Sequence, residues 1–303
     1  MLGLGNVLVS PISDSPIIAN RVSFSNTKSL FTDGVDDYFE INLASDIVDH
    51  GSGTVSFWVN VDSGLSATAF CFEIFDDSQK SAGRIGTRFF KTSSTVWSLD
   101  GFYRDETSTG VYSGRACQAK TGSSHHRKPH SRVASDYGAF GSAAPTYDAD
   151  LSFGNWHHIA FTWDSSLDYT YKFTTHNGSL KLYFDGVLVN HGASTIPSNG
   201  ARGTATGINS FASTTVLDKL RIGANNSAST PIDALTDEFA LFGAALSDSD
   251  ISDIYNSGAP GDLSSYSDLI GWWRFEDDTN DSSSNSNSGT LTNGATYNSG
   301  IPS

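Results

Sequence analysis

The residues of this chain best suited to chemistry are its aspartates. Asp33, Asp36 and Asp37 crowd into a short Gly-containing loop between two strand-like runs, and Asp237 opens a late strand. Oxygen-rich loops of this kind can wrap a hard cation, because calcium takes about six to eight oxygen ligands, backbone carbonyls included. The same residues are equally ordinary turn acids that cap their own backbone amides. Two readings therefore stand side by side: a structural calcium ion at Asp33, Asp36, Asp37 and Asp237, or plain turn chemistry. No EF-hand is present, since Asp277-x-Thr279-x-Asp281 lacks the Gly and the terminal Glu of that loop.

A second constellation is basic. Between Glu106 and Asp136 there is no acidic residue, yet the stretch holds Arg115, Lys120, Arg127, Lys128 and Arg132 with His125, His126 and His130. Imidazoles suit zinc or copper, but no Cys or acidic ligand accompanies them, so a solvated basic loop outweighs a metal site. Such a loop, with His125, His126, Arg127, Lys128 and His130 at its centre, can dock acidic partner surfaces or sulfated and uronic-acid glycans. His157 and His158 point to opposite faces of one strand. An inward His there reads as a hydrogen-bonded core residue, because a general base needs a placed partner. Of six tryptophans most belong to the core. In the pair Trp272-Trp273, alternation sends one indole outward or into an interface, which makes it a candidate contact.

Enzyme signatures are missing: no Gly-x-Ser-x-Gly elbow, no His-Glu-x-x-His, no phosphate-binding glycine loop and no dinucleotide fingerprint. A glycosidase needs two carboxylates flanking the scissile bond. Glu73-Ile-Phe-Asp-Asp77 is the nearest candidate and lacks a second Glu at strand spacing on the same face.

The elements that must position these residues are β-type. Of 303 residues, 33 are acidic, but only five of those are Glu, so the acid is almost all Asp, a turn former and a poor helix former. The formal charge of -15 argues against nucleic-acid binding, which needs surplus Lys and Arg. With 29 Gly, one Met and 12% aromatics, the composition describes an all-β, loop-rich protein. Short strand-like runs recur with turn signals between them, the pattern of a sandwich or barrel. Val55, Phe57 and Val59 share one face of a strand, as do Leu180, Leu182 and Phe184. Phe184-Asp-Gly-Val187 predicts a type I′ hairpin. One short helix is predicted near 247–256, with Ser247 as N-cap, Asp250 at N3, Leu246 stapled onto Ile251 and Gly258 as the stop. Residues 1–28 read as an N-terminal arm against a neighbouring subunit, and 29–303 as a single domain with a basic insert at about 104–150 and a closing strand at about 269–276. Cys71 and Cys117 can form at most one bridge, and two separate buried thiols are the simpler reading. No segment is long and apolar enough for a membrane helix. The N-terminus has no secretory pattern, which suggests a cytosolic protein, an unusual export route or release by lysis.

Seven blocks appear in order: Phe31-Thr-Asp-Gly-Val-Asp-Asp-Tyr38, Thr54-Val-Ser-Phe-Trp58, Asn155-Trp-His-His-Ile-Ala-Phe-Thr162, Leu182-Tyr-Phe-Asp-Gly-Val187, Arg221-Ile-Gly223, Thr236-Asp-Glu-Phe239 and Leu246-Ser-Asp-Ser-Asp-Ile251. Over about Ser29–Gly258 this series resembles laminin-G-like, concanavalin A-like jelly rolls. The ending, Ile270-Gly-Trp-Trp-Arg-Phe-Glu276 with Gly289-Thr-Leu-Thr-Asn-Gly294, resembles the strand that usually comes first, as if the domain were circularly permuted. That arrangement looks like the laminin-G-like virion proteins of tailed bacteriophages, marine ones especially. The resemblance implies a two-sheet antiparallel jelly-roll sandwich, frequently with a structural calcium ion, and glycan or protein binding at one rim.

The expected function is accordingly that of a non-enzymatic virion protein, a capsid decoration, fibre or tail component. It would be a homo-oligomer assembled in the host cytoplasm, contacting other virion subunits and cell-surface glycans, with no nucleic acid or membrane partner. A lectin or adhesin domain of a cellular protein, acting outside the cell, is the alternative, and a polysaccharide hydrolase or lyase on the same scaffold the third reading.

Overall fold

The computed structural model describes residues 24–44, 48–49, 51–65, 67–80, 83–93, 96–105, 115–120, 152–171, 174–192 and 215–303. Two antiparallel sheets face each other, and strands make up 48% of the chain. The larger sheet runs β10 (Val187–Gly192), β9 (Thr174–Phe184), β8 (Trp156–Tyr171), β3 (Ser52–Val61), β12 (Asp233–Phe242), β1 (Ser29–Asp33) and β15 (Thr296–Asn298), with β13 (Leu269–Trp273) also paired to β12. The second runs β14 (Gly289–Thr292), β2 (Tyr38–Asn42), β11 (Lys219–Ile222), β4 (Ala69–Phe75), β5 (Gly83–Ser93), β6 (Val96–Asp105) and β7 (Arg115–Lys120). The jelly-roll sandwich expected from the sequence is the fold observed.

Strand alternation explains the core. Val55, Phe57, Val59, Leu180, Leu182 and Phe184 from the first sheet meet Phe39, Ile41, Phe72, Ile74, Leu220 and Ile222 from the second in one buried cluster. Burial of this apolar area, worth about 25 cal/mol per Å², is the main force holding the sheets together. The Asp185-Gly186 turn has φ of +49° and +74°, as a type I′ hairpin requires. The single α-helix of the described residues, α1 (Asp248–Tyr255), is capped by Ser247 with Asp250 completing the capping box. It ends at Asn256, left-handed at φ +46°, two residues before the predicted glycine stop. Asn tolerates that conformation by local side-chain hydrogen bonding.

The outer face of the larger sheet is also covered. Ala240, Phe242, Ile254, Leu263, Leu269 and Trp272 form a second buried cluster joined by Phe24, Leu246 and Tyr266. The C-terminal tail does more than supply one closing strand: β13 pairs with β12, β14 edges the second sheet and β15 edges the first. Of the expected N-terminal arm, residues 1–23 lie outside the described residues, while 24–28 pack on the domain's own surface through Phe24 and Asn26. Of the basic insert, β7 is an edge strand, and 121–150 lie outside the described residues. Cys71 is free and buried, and burial pushes its thiol up to about 12. No helix among the described residues is long and apolar enough to cross a membrane.

Candidate functional site

The β1–β2 connection brings three acids together at one rim. Gly34, at φ +74°, lets the chain turn; a Cβ there would lie 2.9 Å from that of Asp233. Asp33 accepts the Val35 amide at 2.8 Å, and Asp37 accepts the Asp33 amide at 3.2 Å. The carboxylates of Asp33, Asp36 and Asp37 all offer an oxygen within 4.8 Å of one another; the first two are exposed and the third is buried. Burial, then the charges of Asp33 and Asp36, hold the Asp37 carboxyl above its ordinary range. Asp233, the cross-strand partner of Asp33, is raised in the same direction by burial and by Asp62 and Asp33. No Lys or Arg among the described ion pairs reaches this group. The turn after β14 closes its flank: Asn293 donates to the Asp36 carbonyl at 3.0 Å, and Gly294 leaves room for the Asp37 carboxylate, whose oxygen would sit 3.0 Å from a Cβ there. Hard oxygen donors, like-charge crowding and no cationic partner among the described residues form a donor set that fits calcium.

Asp237 does not join that rim. It lies on the outer face of the larger sheet, opposite Trp58 on β3, and is fully buried. A register shift after Asp237 and a left-handed Glu238 (φ +49°) place the two carboxyls side by side, so that strict strand alternation fails here. Glu238 accepts the Trp272 indole at 2.6 Å and Arg274 Nε at 3.3 Å. Burial pushes Asp237 up to about 9 and Glu238 up to about 7; the neighbouring Glu238 charge adds to the first, and Arg274 opposes the second.

Neither ring of the aromatic pair is exposed. Trp273 enters the inter-sheet core and donates to the Asn287 carbonyl at 2.8 Å, while Trp272 points outward but is only 4% exposed. Alternation was right about direction. Phe24, stacked on Trp272 at 6.3 Å, and the cluster around Leu263 cover the outward ring. His125, His126, Arg127, Lys128 and His130 lie outside the described residues.

Two further arrangements escaped sequence reasoning. Glu40 on β2 and Glu73 on β4 flank Arg221 on β11 in register, a carboxylate pair on one face that only the strand order reveals. Both are committed: Glu40 to Arg221 and Lys219, Glu73 to Arg84 at 3.4 Å and the Asn226 amide at 2.6 Å. Each carboxylate is thus tied to an arginine and not left facing open space as a free acid–base pair. Ser152, His157 and Asp185 also fall in a row, with Oγ–Nε2 3.1 Å and Nδ1–Oδ2 3.0 Å. The adjoining cavity, lined by Phe89, Phe153 and Phe184, has about 10 Å³, room for one water and none for an acyl substrate. The row clasps the Asp185-Gly186 hairpin to the start of β8. His158 is buried, bonded to Ser56 at 2.8 Å, and lowered to about 4 by burial, as expected of a neutral core histidine.

Residues 123–252 match the model of the Concanavalin A-like lectin/glucanases superfamily. The fold is concanavalin A-like. No curated protein matches the chain in sequence. Among solved structures, one similar in fold is a protein from Bacteroides ovatus ATCC 8483 described as carbohydrate-binding. Its TM-score is 0.51 at 13% identity, over 92% of this chain and 62% of that one. Another is the heptameric SAP-like pentraxin of Limulus polyphemus, with a TM-score of 0.50 at 10% identity, over 90% and 94% of the two chains. The chain spans 62% of the length of the Bacteroides ovatus protein.

Proposed function

We propose that this concanavalin A-like domain binds glycans without cleaving them, with a calcium ion held by Asp33, Asp36 and Asp37. The observation that carries the reading is the rim itself: three converging carboxylates, two of them exposed, with no cationic partner among the described residues. When bound, calcium would neutralise the rim and offer a Lewis-acidic centre to sugar hydroxyls. The protein's own groups fix the loop: the Asp33–Val35 and Asp37–Asp33 bonds set its curvature, and the tail turn at Asn293 buttresses it. The reading without hydrolysis is supported by Glu40 and Glu73, each ion-paired with arginine.

We place the domain on the exterior of a tailed-phage particle, as a homo-oligomeric decoration, fibre or tail component assembled in the host cytoplasm. The support is the permuted C-terminal strand noted in the sequence, here integrated into both sheets, together with the acidic surface. A glycan array run with calcium and with chelator tests the binding reading; calcium-dependent signal supports it, and silence under both conditions removes it. Mass spectrometry of purified particles tests the location, which the protein's absence from them would refute.

A further inference from the structure

Residues 24–28 lie across the buried acid pair, and every one of them touches it or its surroundings. Phe24 stacks on Trp272 with planes 6° apart, and the Arg274 guanidinium sits 4.5 Å over the Phe24 ring. Arg274 also donates to the Ser25 carbonyl. The Asn26 amide donates to Asp237 Oδ2 at 2.8 Å; the Thr27 amide and hydroxyl donate to Glu276; Lys28 pairs with Asp277 at 3.7 Å. Below this segment the backbone is strained: Glu238, Phe275 and Asp277 all carry φ between +49° and +58°. Bulky residues hold that conformation only where the surroundings over-determine it.

The charges around Asp237 do not balance. Glu238 on its own strand and Glu276 on the tail are negative, and the one guanidinium at hand, Arg274, is turned to Glu238 and faced also by Asp262. Lys28 belongs to Asp277, and Trp58 across on β3 is uncharged. An ionised Asp237 would be a fully buried anion beside two others, which costs several kcal/mol. Its Oδ1 takes the Glu238 amide at 2.8 Å, and the Oδ1 of Asn26 is buried without a hydrogen-bond donor. A carboxylic proton on Asp237 removes the charge and supplies a donor next to that amide, whose oxygen and nitrogen can exchange places by a flip.

We infer that residues 24–28 form a proton-locked strap: Asp237 keeps its proton at neutral pH, and losing it releases the strap and uncovers the face of Trp272 with Arg274. An ionised Asp237 would still accept from Asn26, so release is driven by the cost of holding a buried anion beside Glu238 and Glu276 away from water, and it breaks the Asn26 bond and the two bonds from Thr27 together. Since Asn26, Thr27 and Phe24 are all attached at this spot, the segment leaves as a unit up to Ser29, where β1 pairing begins.

The test is hydrogen exchange on the full chain between about pH 6 and about pH 10, corrected for intrinsic rates and normalised to β3. Wild type and Asp237→Asn, which mimics the protonated acid, are compared. In wild type the protection of residues 24–28 is expected to fall at least about tenfold as pH rises, while Asp237→Asn stays protected throughout. Difference infrared spectroscopy of wild type alone is expected to show a protonated buried carboxyl at neutral pH that disappears in alkali, so the inference stays testable if the variant fails to fold. Constant strap protection in wild type, equal loss in Asp237→Asn, or no protonated carboxyl at neutral pH would each overturn it.

Discussion

Asp233 and Asp237 stand on the same strand, roughly 13 Å apart at strand rise, and live under opposite constraints. Asp233 belongs to the rim, where Asp33 and Asp36 are exposed and water screens the crowd of like charges. Asp237 is sealed under Phe24–Lys28 with Glu238 beside it. The same residue type therefore needs different partners. At the rim, where ionised oxygens remain accessible, a divalent cation is the natural counter-charge. Under the strap a dissolved ion has no way in, and a proton does the neutralising. What differs between the two groups is access to water, and that is decided by the segments laid over them, not by the acids themselves.

The largest effect that could break this contrast comes from its one part-buried cation. Arg274→Ala leaves Glu238 without its ion pair and Phe24 without its guanidinium, and is expected to cost about 3 kcal/mol in denaturant unfolding. A loss near zero would mean that the buried group is not charge-balanced through Arg274. At the rim, calcium at about 100 times its dissociation constant should stabilise wild type by about 2.7 kcal/mol. Asp37→Asn should abolish that gain, as read by calorimetry with and without chelator.

The pH dependence sharpens the comparison. Both buried carboxyls have folded values raised above their unfolded ones, so their contribution is fully present below the ordinary carboxylate range and is lost as pH rises through about 7 for Glu238 and about 9 for Asp237. Wild-type stability should decline across that window. Asp237→Asn should decline less, and at about pH 9 should exceed wild type by about 2 kcal/mol. The smallest effect is at the exposed end: without calcium, Asp36→Asn should stabilise by about 0.3 kcal/mol through relief of like charge. A clear destabilisation would mean that Asp36 has a structural bond of its own.

How much of this could be read in advance depended on whether the deciding neighbour was local. Ser247 with Asp250, the Asp185-Gly186 turn and the faces of Val55, Phe57 and Val59 were legible because each rests on contacts within a few residues or on the two-residue strand period. The grouping of Asp33, Asp36 and Asp37 was legible for the same reason. Asp237 was grouped with the rim acids as the residue opening a late strand; in fact the strand begins at Asp233, which takes the register opposite Asp33, while Asp237 pairs with Trp58 and faces outward by plain alternation. One indole of the Trp272-Trp273 pair was expected to face outward or into an interface; Trp272 does face outward but is covered, because nothing local reveals that Leu263 and Phe24, far apart in the chain, meet over it. Glu40 and Glu73 are separated by 33 positions and became a pair only through the strand order.

The central claim is that the rim acids hold a cation and the buried Asp237 holds a proton. Calcium titration followed by thermal unfolding at neutral pH, on wild type, Asp37→Asn and Asp237→Asn in parallel, tests it most directly. The predicted result is a calcium-induced rise in melting temperature that disappears in Asp37→Asn and persists in Asp237→Asn. A rise that survives in Asp37→Asn, or that vanishes in Asp237→Asn, would contradict the account.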